Sequence, residues 1–177
     1  MSTGRGCSFW RDRVWRTSIE RMFDDLLADV TGARSSGARV AALARVENAV
    51  CAARLSAMVD MLAQAHAAAG SAEREQWRFD NWSAVCVQIG AVHGVTSGVA
   101  SGLLMDAVAL AERLPKVAAV FAAGAVSHRV IRMICARTAM VKDRAAIAAV
   151  DADVAAVVGG LGVLSAVAAQ QAVDARY

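Results

Sequence analysis

A single proline in 177 residues is the feature that most limits what this chain can fold into. Proline ends helices because it lacks an N–H and clashes with the preceding turn, so its scarcity leaves long runs without a breaker. The runs themselves are mostly alanine and valine, and alanine is the strongest helix former. Residues are 57% apolar but only 5% aromatic, so the core is built from small side chains that suit closely set helices. Nowhere do apolar and polar residues alternate between turn residues, and no strand is predicted. The expected fold is all-α: an irregular multi-helix bundle with one long helix and a helix-turn-helix-like corner.

Helical spacing organises the chain into segments. Trp15, Ile19, Met22, Phe23, Leu26, Leu27 and Val30 mark a first helix over 9–30, followed by a turn at 31–37 (TGARSSG). A long helix over 38–69 carries the stripe Val40, Leu43, Val46, Val50, Leu55, Met58, Val59 and Leu62. Gly70 and Ser71 stop it and cap the next, whose apolar set is Trp77, Trp82, Val85, Cys86, Ile89 and Val92. Trp77 and Trp82 are five apart and do not share one helix face, which argues against a base-stacking pair. A helix over 98–114 ends at Pro115, which opens a short one ending at Gly124. Ser127 caps a helix over 128–138, and another spans 143–158. Gly159, Gly160 and Gly162 then break the pattern before a weak helix over 163–175. The domain reading is a basic amphipathic arm at 1–36, a helical domain at 37–158 and a diverged Gly/Ala-rich tail at 159–177.

No catalytic or metal site is expected. Ser127 and Ser165 lack the strand–turn–helix setting of a nucleophile elbow, and the glycines at 159–162 follow a helix and bring no lysine for phosphate. His66, His93 and His128 have no second ligand at metal-binding spacing. Cys7, Cys51, Cys86 and Cys135 form no CxxC pair, and the last three sit in apolar helical patterns, as buried reduced thiols do. Residues 154–173 carry no charge, but their glycines, glutamines and alanines make weak material for a membrane span, and Asp151 and Asp153 flank them. The N-terminus has arginines without an apolar stretch behind them, so no signal peptide is read there and a cytoplasmic location is expected.

Charge is uneven. From Arg113 to Arg144 seven basic residues face one acid, Asp143, for a net +6, against a total of +3. The segment 85–104 matches a helix-turn-helix pattern, with Gly90 at the crossing and Ile89 and Val95 as core pins. Its second helix offers Ser97, Ser101 and Asp106 but no long donor before Arg113, and base reading normally uses such donors. A plain corner between two helices is the stronger reading. The helix at 128–138 is better supplied. At 100° per residue, Arg129, Arg132 and Arg137 fall within roughly 140° of arc. Val130, Ile131, Ile134 and Val141 lie opposite, and Lys142 and Arg144 extend the basic side. These five basic residues are the candidate nucleic-acid contacts, made to the phosphates of duplex DNA. The alternative is a solvated face on a protein-interaction or homo-oligomerising bundle.

The middle of the chain resembles the 13E12 repeat family, whose helical region is domain-of-unknown-function family 222. The resemblance is carried by Ala107, Leu110, Leu114-Pro115, Val120, Ala123-Gly124 and Val126-Ser127, before an arginine-bearing helix, and extends over about 41–158. It implies a DNA-associated module, because many members continue into a C-terminal HNH nuclease domain. The nuclease itself does not carry over: His128 is the last histidine and Asn81 the last asparagine. The glycine-rich tail also departs from the family pattern and reads as a truncated or diverged end. The expectation is therefore binding rather than catalysis, without a cofactor. The purified chain should show no magnesium- or manganese-dependent nicking of plasmid DNA. Nicking that is abolished by His128→Ala would overturn that expectation.

Overall fold

The computed structural model describes residues 21–68 and 74–160, with side chains described in all of these except 74–80. Every regular element among the described residues is helical. In chain order they are α1 (residues 21–32), α2 (Ser36–Ala68), α3 (Arg74–His93), α4 (Ser97–Glu112), α5 (Pro115–Ala122), α6 (His128–Thr138) and α7 (Arg144–Gly160). Residues 9–20 of the expected first helix, the stop and cap at Gly70 and Ser71, the Trp77 side chain and the weak helix expected over 163–175 lie outside the described residues. No single described helix is long and apolar enough to cross a membrane.

The break between α1 and α2 is shorter than the expected seven-residue turn. Thr31 and Gly32 stay helical, and α2 starts at Ser36 because the Ser35 hydroxyl accepts from the Ala38 N–H at 3.1 Å. α2, 33 residues long, is the spine against which α3, α4, α5 and α6 pack. Its C-terminal half buries Leu55, Met58 and Leu62, as the stripe predicts. Its N-terminal half does not follow the stripe. Ala42 and Ala49 are buried, whereas Val40, Leu43 and Val50 are exposed. The turn between α5 and α6 lies against this half of α2. Gly124, with φ +76°, brings its backbone so close that a Cβ there would fall on the Arg45 carbonyl. Asn48 Nδ2 donates to the Gly124 carbonyl at 3.1 Å.

The corner between α3 and α4 bends by 107°. Gly94 (φ +63°) makes the turn, the Val95 N–H donates to the Gly90 carbonyl at 3.0 Å, and Thr96 caps α4. A Cβ on Gly90 would lie 2.8 Å from the Val95 carbonyl oxygen, which accounts for the glycine. Ile89 is buried and Val95 packs against the core, as expected of the two pins. Val92, assigned by spacing to the core, is 81% exposed, because the bend carries α4 away from the last turn of α3.

Helix α5 begins at Pro115, and its N-terminus meets a residue from much later in the chain. The Asp151 carboxylate on α7 is 2% exposed. It accepts from the Lys116 N–H through Oδ2 and from the Val117 N–H through Oδ1, both at 2.9 Å. These are two of the donors that the first turn of a helix cannot satisfy internally, and the helix dipole favours an anion at that end. α7 itself starts where Asp143 Oδ1 accepts from the Ala146 N–H at 2.7 Å. It then runs through Gly159 and Gly160, where the sequence suggested a break. A Cβ on Gly159 would lie 3.5 Å from the Val120 side chain of α5, an ordinary packing distance, so α7 stays beside α5 to its last described turn.

Two stability measurements follow. Replacing Asp151 with alanine strands two N–H groups at the α5 N-terminus and should cost about 2–4 kcal/mol by urea denaturation. Asp151→Asn, which retains one acceptor, should cost less. An unchanged midpoint for Asp151→Ala would show that the cap contributes nothing. Gly94→Ala should cost only about 1–2 kcal/mol for its left-handed backbone, since nothing crowds that position. Gly124→Ala should add a further 1–3 kcal/mol or so, because its Cβ meets the α2 backbone. Equal losses at the two glycines would contradict the close approach.

Candidate nucleic-acid interface

Helix α6 is laid out as its spacing predicts. Ser127 caps it, its Oγ accepting from the Val130 N–H at 3.5 Å. Val130, Ile131 and Ile134 are buried, together with Cys135 and Thr138, and Val141 packs partly against the core. The five basic candidates, Arg129, Arg132, Arg137, Lys142 and Arg144, are all exposed. Burial on one side thus fixes the arginines on the other, and Lys142 and Arg144 continue the basic surface toward α7.

Two charged residues near this face have roles that the sequence does not announce. Arg113 belongs to the basic segment by count, but its guanidinium is used internally. Nη2 donates to the Thr138 carbonyl at 2.8 Å and to the Val141 carbonyl at 2.7 Å, closing the C-terminal end of α6. Asp106, on α4, sits beneath the arginine face. Its Oδ2 lies 3.5 Å from Arg132 Nε and 3.5 Å from His128 Nε2. Among the described residues neither Asp106 Oδ2 nor His128 Nε2 has a hydrogen-bond partner, so neither of these close approaches is a hydrogen bond. The His128 ring stacks on Phe121, with centroids 6.3 Å apart. Above the group is a shallow depression lined by His128, Arg129, Arg132 and Met133. Arg132 remains 67% exposed above the Asp106 carboxylate.

The helix-turn-helix-like corner sets one side of α4 into the core. Ala100, Leu104, Ala107 and Leu110 bury one side of α4 in the centre of the molecule. Ser101 accepts from Trp82 Nε1 at 3.0 Å, which ties α3 to α4. The corner is a structural joint, and the basic surface belongs to α6.

The described thiols are not poised to react. Cys51, Cys86 and Cys135 are buried and free. Burial pushes the Cys135 thiol up to about 12, the Asp106 carboxylate adding to the effect and Arg113 opposing it. Burial also raises Cys86, against a hydrogen bond from Ser101. A thiol held protonated is a poor nucleophile and a poor metal ligand. Among the described residues no three His, Cys, Asp or Glu side chains come together as a metal site.

The model of the domain of unknown function DUF222 matches residues 42–175. The chain belongs to this family. The uncharacterized protein Rv2100 of Mycobacterium tuberculosis is 38% identical over 166 residues, which is 91% of this chain and 30% of the relative. A second uncharacterized protein of that organism, Rv3776, is 34% identical over 158 residues, covering 86% of this chain and 30% of its own length. This DUF222 domain therefore spans under a third of the length of those relatives. No solved structure matches it. The residues by which the chain resembles its family are structural in this fold. Ala107, Leu110 and Leu114 are buried, Pro115 opens α5, Gly124 makes the turn onto α2, and Ser127 caps α6.

Proposed function

We propose that this DUF222 domain is a non-catalytic, DNA-associated helical module that lies along duplex phosphates through the arginine face of α6. The reading rests on one observation: Arg129, Arg132 and Arg137 are exposed along a helix whose other side is buried, with Lys142 and Arg144 exposed beyond its end. Guanidinium groups pair with phosphate oxygens without reading sequence, so such a face supplies position and affinity rather than specificity. Asp106 holds Arg132 lightly and is displaced as a partner when phosphate arrives. In this reading the module serves to place a nuclease-type DNA enzyme, in the cytoplasm, and contributes no chemistry itself.

Each phosphate neutralised releases counterions, so three to five contacts imply a log–log slope of affinity against salt of roughly −3 to −4.5 on duplex DNA. Arg129→Ala should weaken binding to all sequences alike and reduce the slope by about 1. Asp106→Asn removes the carboxylate beneath Arg132 and should tighten binding. Titration of labelled duplex at several salt concentrations, with circular dichroism to confirm that each variant folds, measures all three. If wild type and Arg129→Ala give the same affinity and slope, the face is solvent surface, and the interaction-bundle reading replaces this one.

A further inference from the structure

The exposed side of α2 carries a pattern unrelated to the arginine face. Val40, Leu43, Glu47, Val50, Arg54 and Ala57 recur at alternating steps of three and four, and all six are exposed. That spacing is the seam of a helix that packs lengthwise against another helix. Val40 is 67%, Leu43 50% and Val50 49% exposed, a run of branched apolar side chains that a solvated helix face normally avoids. The opposite side of this half of α2 is already covered by the α5–α6 turn, so the seam is not spare core.

We infer that this seam joins two copies of the chain, α2 against α2, in an antiparallel two-fold pair. Its charges choose both the partner and the direction. Glu47 and Arg54 are the charged residues of the seam, and they are two turns apart, roughly 10 Å along the axis. They are too far apart to pair within the helix. A parallel pair of copies would set Glu47 on Glu47 and Arg54 on Arg54. An antiparallel pair about an axis near Val50 sets each Glu47 against Arg54 of the second copy, twice by symmetry, with the two copies of Val50 between them. A surface complementary to itself under a two-fold rotation is what an isologous dimer requires. The neighbouring positions Ala44 and Ala53 are small and half-buried, which lets the two helices approach. Among the described residues the Arg54 head group meets Cys51 Sγ, with Nη2 at 3.3 Å, and that weak contact yields readily to a carboxylate. This dimer is independent of whether α6 contacts phosphate.

The test is sedimentation equilibrium of the full chain over a wide concentration range, with charge reversal on the seam. Wild type should follow a monomer–dimer equilibrium. Glu47→Arg and Arg54→Glu should each weaken the dimer at least about tenfold, because each brings like charges together. The double variant Glu47→Arg/Arg54→Glu restores opposite charges across the interface and should recover most of the loss. The helical circular dichroism spectrum should be unchanged throughout, since these side chains are outside the core. Three results would overturn the inference: a wild-type chain that is monomeric at every concentration, a dimer indifferent to all three variants, or single variants that lower the melting temperature of a monomer. The last outcome would mean that the chain's own segments cover the seam.

Discussion

A single buried carboxylate joins the two halves of the C-terminal region. Asp151 reaches from α7 to the first turn of α5 and satisfies the N–H groups of Lys116 and Val117. An anion with so little water around it is tolerable only where donors and a favourable dipole meet it, and the N-terminus of α5 supplies both. The cap fixes where α7 lies, and α7 in turn covers α5 with Val154 and Val158. With α5 held from that side, the turn after it is pressed onto α2, where Gly124 meets the Arg45 backbone. α6 starts at the Ser127 cap just after that turn and is also held by α4 and by the Arg113 clasp at its C-terminal end. The Asp151 cap is thus one of several contacts that place the surface arginines.

The same contacts give physical content to the string by which the family is known. Leu114-Pro115 is a core residue followed by a helix opener, and Ala123-Gly124 and Val126-Ser127 are a left-handed turn, a buried valine and a cap. Each is required by the α4–α5–α6 path, and none faces the depression beside His128. In this chain the residues that carry the resemblance are thus structural, and the exposed basic residues of α6 lie outside them.

Much of the fold was legible from local signals. Pro115, Ser127 and the helix stop at Gly124 act within a few residues of themselves, and the helix boundaries they imply agree with the structure. The two-sidedness of α6 was equally legible, because burial of Val130, Ile131 and Ile134 leaves the arginines only one direction to point. Less legible were events between distant residues. The stripe through Val40, Leu43 and Val50 is a sound helical period, yet the core took Ala42 and Ala49, and the Gly124 turn packs against this half of α2 at Arg45 and Asn48. Val92 failed as a core residue, since the helix expected to cover it had turned away.

The sequence by itself determined that this chain is helical, where most of its helices start and stop, and which side of α6 is charged, because propensity, capping and periodicity act over one or two turns. Only the tertiary structure decided what the individual charges do. Arg113, Arg132 and Asp151 are ordinary charged residues on helical segments. Arg113 became an internal clasp on the end of α6, Asp151 a buried cap on α5, and Arg132 a surface group lightly held by Asp106. The difference lies in the partner that each meets 25 or more residues away along the chain, and a charge finds such a partner only after the helices have packed.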